Sequence, residues 1–208
     1  MKILISAGPT REKIDAVRFL SNRSTGKMGY ALAEAALKLG HEVTLVSGPV
    51  ALEPPAGAKV IRIESAAELA AAVHSCANDA DIIIMAAAVA DYRPKTFFAG
   101  KLKKQEGGLT LELERTEDVL LSLGMQKRSG QILVGFAAET DDLMENAISK
   151  LKKKNLDWII ANDVSRSDRG FASGQNEVTM IDAAGKTFLI PLADKKSVAE
   201  QIIARLIR

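Results

Sequence analysis

Ser21-Asn22-Arg23-Ser24-Thr25-Gly26-Lys27-Met28-Gly29 lies between a strand pattern, Ile3-Leu4-Ile5-Ser6-Ala7, and an Ala-rich helix pattern from Tyr30 to Leu39. A polar loop opened by Gly8-Pro9-Thr10-Arg11-Glu12 leads into it. Small residues at 24, 25, 26 and 29 let a helix N-terminus approach another group closely, and the free backbone N–H groups there suit an anion. The P-loop pattern fails, because Ser21 and Met28 stand at its two outer required positions. The dinucleotide fingerprint also fails: Ser24-x-Gly26-x-x-Gly29 supplies two of its glycines, after an approach loop that is far too long. The alternative is a plain helix cap with small residues for packing.

Working outward, the chain alternates. Strands are expected at 2–7, 42–46, 59–63, 82–86, 132–136 and 158–161, and helices at 27–39, 65–76, 117–125, 141–154 and 195–208. Gly40 closes the first helix, and Ser65 with Glu68 makes a capping box for the second. Residues 109–113 read as a further strand, and 177–181 with 187–190 as a hairpin around Ala184-Gly185-Lys186. Residues 91–110 interrupt the alternation and read as a flexible flap with a basic tip, Lys101-Leu102-Lys103-Lys104. The pattern predicts an α/β, Rossmann-like, doubly wound, mostly parallel sheet in one domain over 1–208, with the flap and a C-terminal β-hairpin. Such sheets bind ligands at the carboxyl ends of their strands. Segments 8–26, 47–55, 86–94, 136–142 and 161–176 should therefore face one cleft.

Composition narrows the chemistry. The 208 residues are 47% apolar and 26% charged, as in a globular chain. The net charge of +2 is low for a general nucleic-acid binder. The longest apolar run, 82–90, is too short to span a bilayer, and Met1-Lys2-Ile3 enters a strand with no signal-peptide pattern. The expectation is a cytoplasmic protein with no nucleic-acid or membrane partner. A single cysteine, Cys76, fits a reducing compartment. It and the two histidines, His41 and His74, form no zinc or triad pattern and read as structural. Chemistry must then rest on amides, carboxylates, lysines and backbone dipoles.

Four constellations could carry it. Met85-Ala86-Ala87-Ala88-Val89-Ala90-Asp91 ends a central strand; its alanines leave room for a ligand, and Asp91 is the first charge beyond the buried run. Lys101, Lys103 and Lys104 could neutralise a triphosphate, or could be a solvated charge run. Lys150 and Lys154 share a helix face at i, i+4, where the helix dipole favours cations in any case. Phe136, in Gly135-Phe136-Ala137-Ala138-Glu139-Thr140, could stack on a base or fill the core.

Taken together, Ala7-Gly8-Pro9-Thr10-Arg11-Glu12, Asp15-x-Val17-Arg18, Ser21-Asn22-x-Ser24-Thr25-Gly26-Lys27-Met28-Gly29, 86–92, Lys101-x-Lys103-Lys104, 135–140 and Ala161-Asn162-Asp163 resemble the phosphopantothenate–cysteine ligase family. The resemblance covers nearly the whole chain. In most bacteria this ligase is the C-terminal half of a bifunctional coenzyme A biosynthesis flavoprotein. The resemblance implies a homodimer that joins 4′-phosphopantothenate and L-cysteine, using CTP with Mg²⁺. An acyl-cytidylate forms with loss of pyrophosphate, and the cysteine amine then displaces CMP. Asn22 would hold the acyl-phosphate, and Lys101 would neutralise the triphosphate. Arg18 would bind the substrate phosphate across the dimer, and Ala87 and Ala88 would line the pantothenate pocket. Met85, Ala86, Ala87, Asp91, Lys101, Phe136, Lys150 and Lys154 would contact the nucleotide, with Glu117, Asp118, Val119 and Leu120 at the base. The sequence does not fix the metal ligands.

Three departures stand out. Thr116-Glu117 replace the family's usual Asn-Pro, which leaves CTP and ATP both open. Thr25 replaces a common Ser. The flavin-containing decarboxylase half is absent, so no flavin is expected in this chain, which is either an excised domain, fused to or associated with such a decarboxylase, or a free-standing ligase. Two other readings remain. An NAD(P)-dependent oxidoreductase would need the missing glycine and an acidic residue after Val46-Ser47-Gly48-Pro49. A non-catalytic nucleotide-sensing module would leave the basic flap and Asn22 idle.

Overall fold

The computed structural model describes residues 1–104, 107–139, 143–163 and 173–207. Strand β1 (Lys2–Ala7) leads into a small hairpin, β2 (Arg11–Lys13) with β3 (Phe19–Ser21), and then α1 (Lys27–Lys38). β4 (Glu42–Ser47), β5 (Lys59–Arg62), α2 (Ala66–Ala77) and β6 (Ile82–Met85) follow. β7 (Tyr92–Pro94) and β8 (Leu113–Arg115) form the base of the flap. The chain continues through α3 (Val119–Gln126), β9 (Ile132–Glu139), α4 (Leu143–Lys153) and β10 (Trp158–Asp163). It closes with β11 (Gln175–Asp182), β12 (Thr187–Asp194) and α5 (Lys195–Leu206).

The main sheet has eight strands in the order β12-β11-β10-β9-β6-β1-β4-β5. Pairs from β10 across to β5 are parallel; β11 and β12 are added antiparallel, as the expected C-terminal hairpin. The buried run Ile82-Ile83-Ile84 shows why the centre reads as apolar throughout: Ile82 and Ile84 enter one core layer, Ile83 the other. The first layer packs α1 and α5 on the sheet; the second packs α2, α3 and α4 on its opposite face.

Two expectations need correction. The loop after β1 holds a two-stranded hairpin, with Arg11 opposite Ser21 and Lys13 opposite Phe19. Strands of three residues are too short to leave a readable alternation. It is anchored by the buried Glu12, whose carboxylate accepts the N–H of Ala66 at 2.9 Å. The strand expected at 109–113 instead lies at Leu113–Arg115, because its register is set by pairing Tyr92 with Arg115. Thr140, the start expected for a helix at Asp141 and most of the 161–176 segment lie outside the described residues. No helix among the described residues is long and apolar enough to cross a membrane.

Local signals act as their chemistry requires. Ser65 accepts the Glu68 N–H at 3.2 Å, while the Glu68 carboxylate reaches back one residue beyond the cap, to the N–H of Glu64 at 2.7 Å. Helix α1 starts differently. Gly26, at φ 77°, is its N-cap and supplies no side chain to the first N–H groups. A Cβ on Gly29 would lie 2.5 Å from the Ala7 Cβ, so glycine here lets the helix settle against β1.

Candidate active site

β1 and β6 lie side by side, but the chain leaves β1 towards β4 and leaves β6 towards β9. The winding reverses between them, and the loops after the two strands part to leave a crevice at their carboxyl ends. The backbone closes its floor. Pro9 bridges Ala88, the Ala88 N–H donates to the Gly8 carbonyl at 2.9 Å, and the Ala90 N–H donates to the Thr10 hydroxyl at 3.0 Å. Thr10 is fully buried.

Asn22 sits over this seam. Its Nδ2 donates to the carbonyls of Ala88 and Val89, both at 3.0 Å. Two carbonyl acceptors fix the amide orientation, since the turned amide would face oxygen to oxygen. What Asn22 keeps for a ligand is its carbonyl oxygen, an acceptor. A cavity of about 350 Å³ lies beside it, walled by Ala86, Ala87, Ala88 and the α1 N-terminus from Gly26 to Gly29.

A second cavity, about 470 Å³, adjoins the first: Ala87, Val89, Asp91 and Phe136 border both. It gathers Met85, Ala87, Asp91, Glu117, Asp118, Val119, Leu120, Phe136, Lys150 and Lys154. Asp118 caps α3 by accepting the Leu121 N–H at 3.1 Å and also holds the Lys154 ammonium at 2.9 Å. Glu117 meets His74 Nε2 at 3.2 Å. Val119 and Met85 are buried, so they form wall rather than free contact. Phe136 is half-buried between the two cavities.

Lys101 and Arg18 are not brought to this cleft. They line a separate cavity of about 650 Å³ under the flap, with Lys103 and Lys104. The Arg18 guanidinium is already engaged, by Asp15 and by the carbonyl of Leu102.

The structure also brings in residues to which the sequence reading gave no role. Tyr92, Arg115 and Thr116 complete the second cavity, and the Thr116 hydroxyl donates to Ala90 O at 2.6 Å. Asn162, Asn176 and Lys195 reach the first cavity from β10, β11 and α5. All three are buried. Burial, and secondarily Lys27, brings the Lys195 ammonium down to about 8, so it remains mostly charged at neutral pH. Asn162 lay within a quoted motif, but nothing local marks it as facing a ligand. The described residues hold no group of three or more His, Cys, Asp or Glu that would cage a metal.

The family profile described as the DNA/pantothenate metabolism flavoprotein C-terminal domain matches residues 1–208. The chain belongs to this family. It is 52% identical over 205 residues to the coenzyme A biosynthesis bifunctional protein CoaBC of Bacillus subtilis, covering 98% of this chain and 50% of that protein. A protein of an unknown prokaryotic organism named cysteine/cysteine sulfinic acid decarboxylase is 46% identical over 207 residues, covering 99% of this chain and 58% of that one. The chain thus spans about half the length of the curated relatives it matches. The crystal structure of the C-terminal domain of a CoaBC superposes with a TM-score of 0.84 at 46% identity, covering 99% of this chain and 93% of that domain. The DNA/pantothenate metabolism flavoprotein C-terminal domain is thus the family in sequence and in fold alike.

Proposed function

We propose that this chain joins 4′-phosphopantothenate to L-cysteine in two steps driven by CTP, in the cytoplasm, as one step of coenzyme A biosynthesis. A carboxylate oxygen attacks the α-phosphorus and pyrophosphate leaves with the electron pair. The cysteine nitrogen then attacks the acyl carbon; the C–O bond to phosphate breaks, CMP leaves, and the amine proton passes to solvent. One observation carries the reading. Apart from Ala86, which walls the neighbouring cavity, and Lys101 on the flap, the positions expected around the nucleotide collect in one cavity, and that cavity opens through Ala87 and Phe136 onto the one that holds Asn22. Acyl carbon and α-phosphate would meet at that shared border.

Residue roles follow from the geometry. Lys150 and Lys154 supply cations at the nucleotide, where charge builds up in the transition state. The alanines after β6 let the acyl chain lie against backbone. The Asn22 carbonyl accepts a hydrogen from the attacking amine, and its Nδ2 keeps the 88–89 loop in place. Mg²⁺ would neutralise the triphosphate. Asp91, Glu117 and Asp118 line the nucleotide cavity and fit a cation carried in on phosphate oxygens better than one held in a protein cage.

Arg18 and Lys101 support a homodimer. They share a cavity away from their own cleft, and Val17, Phe19, Phe97 and Leu109 around them are exposed apolar residues that a second copy would cover. Across that contact, Arg18 meets the substrate phosphate and Lys101 the triphosphate of the partner's cleft.

The test is an assay of pyrophosphate and CMP release with phosphopantothenate, cysteine and Mg²⁺, with CTP or ATP, on protein whose mass is measured in solution. Release that requires all components, from a dimer, bears out the reading. Cysteine-dependent CO₂ release without nucleotide would instead favour the activity for which the decarboxylase relative is named.

A further inference from the structure

β6 ends at Met85, and the backbone of 86–91 runs on beside the two cavities outside any strand. Its polar groups need partners from elsewhere in the chain. Ser6 supplies the first pair: its carbonyl accepts the Ala86 N–H at 3.2 Å and its hydroxyl the Ala87 N–H at 3.1 Å. Ala88 is held through backbone, by the Gly8 carbonyl and the Thr10 N–H. At Ala90 the partners are side chains. Its N–H donates to the Thr10 hydroxyl at 3.0 Å, and its carbonyl accepts the Thr116 hydroxyl at 2.6 Å. Two threonines thus grip one residue from opposite sides. Thr10, fully buried, comes from the loop before β2; Thr116, half-buried, follows β8 at the base of the flap.

We infer that Thr10 and Thr116 are positioning residues for different halves of the cleft: Thr10 sets the carbonyls that Asn22 holds, and Thr116 sets Asp91 at the nucleotide cavity. Thr10 frames the Asn22 contact. Its N–H shares the Ala88 carbonyl with Asn22 Nδ2, at 3.2 and 3.0 Å. Its carbonyl accepts the hydroxyl of Ser21, the residue before Asn22, at 2.8 Å. Its hydroxyl closes the frame at Ala90, one residue past the second carbonyl that Asn22 holds, Val89. Valine has the outline of threonine without the hydroxyl. At position 10 it would leave the Ala90 N–H unpaired and let the 88–90 segment drift from Asn22. On the other side, Thr116 takes two successive carbonyls, Ala90 by its hydroxyl and Asp91 by its N–H at 3.0 Å. Its hydroxyl proton is spent inward, so it is not offered to a base from the position where the family usually carries Asn. This inference deepens the ligase reading and rests on it for the names of the two steps.

The test begins with the resting protein, where the Asn22 side-chain amide is followed by NMR. Thr10→Val should shift that resonance. Thr10→Ser, which keeps the hydroxyl, should leave it near its wild-type place, and Thr116→Val should move it less than Thr10→Val does. CTP affinity is then measured by calorimetry without phosphopantothenate. Thr116→Val should weaken it about tenfold, the scale of one polar group left unpaired. Thr116→Ser should restore it, and Thr10→Val should change it by less than about twofold. In turnover, Thr10→Val should slow amide formation by about tenfold or more, and cytidylate formation less, because misplacement costs most at the reacting atoms. An Asn22 resonance that stays put in Thr10→Val overturns the Thr10 assignment, whatever the protein catalyses. CTP binding unchanged in Thr116→Val overturns that of Thr116. Equal losses in both readouts from either valine, rescued by neither serine, would mean a general loosening of the fold and sink both. A wild type that shows these resting contrasts and binds CTP, yet makes no amide, would remove the ligase reading and leave the pair standing.

Discussion

Arg18 donates from both Nε and Nη2 to a single carboxylate oxygen of Asp15, at 2.9 and 2.6 Å, and Nη2 also reaches the carbonyl of Leu102 at 2.7 Å. The same oxygen accepts the Leu102 N–H at 3.0 Å, so one carboxylate ties the flap to the turn after β2. Burial alone would push the Asp15 carboxyl up, but the Val17 N–H, the Arg18 side chain and the N–H groups of Arg18 and Leu102 together hold it well below the usual carboxylate range. A depressed folded value means that this tie stabilises fully above the unfolded value of about 3.9 and is lost as the pH falls from there towards the folded one. Amide exchange at Leu102, corrected for intrinsic rate, should therefore rise only in strong acid. Asp15→Asn should raise it at neutral pH. If the variant exchanges like wild type, charge is not what holds the flap.

Asn22→Asp exchanges a donor for a carboxylate facing two carbonyl oxygens. It should slow amide formation by about a hundredfold, the scale seen when one positioned hydrogen bond is lost from a reacting centre. Formation of the acyl-cytidylate should fall less. Rapid-quench measurements can follow both steps, and equal slowing would contradict a role centred on the amine.

Lys101 is exposed at the flap tip. Lys101→Gln should lower pyrophosphate release by about tenfold or more while shifting unfolding free energy by less than about 0.5 kcal/mol. Unchanged release would make this lysine a bystander.

Gly29→Ala tests the packing of α1 rather than the chemistry. The added methyl would meet Ala7 in the core, and overpacking of this kind costs about 1–3 kcal/mol. Denaturant melts should show the loss. A neutral result would mean that α1 can lift away from β1 without penalty.

The sheet was legible because its signals are local. Ile82-Ile83-Ile84 is apolar on both faces, Ser65 and Glu68 sit at cap spacing, and Gly40 takes a positive φ of 79° just after α1. The hairpin at Arg11–Lys13 was not legible, since its anchor, the Glu12 contact with Ala66, spans 54 residues. The same limit hid the polar end of the cleft. Asn162 and Asn176 become neighbours only through the pairing of β10 with β11. The nucleotide positions were read from family resemblance; no periodicity would have drawn Asp118 to Lys154 across 36 residues.

The reversal of winding between β1 and β6 also sets when the protein can begin to work. Ile3 pairs with Ile82, so β1, made before β6, lacks one neighbour until β6 has left the ribosome. The loop carrying Asn22 is made early, yet the carbonyls that hold its amide belong to Ala88 and Val89. A nascent chain ending before β6 carries half a cleft and an unshielded β1 edge. The seam that seats Asn22 therefore forms only with closure of the sheet's centre, through contacts of high sequence separation.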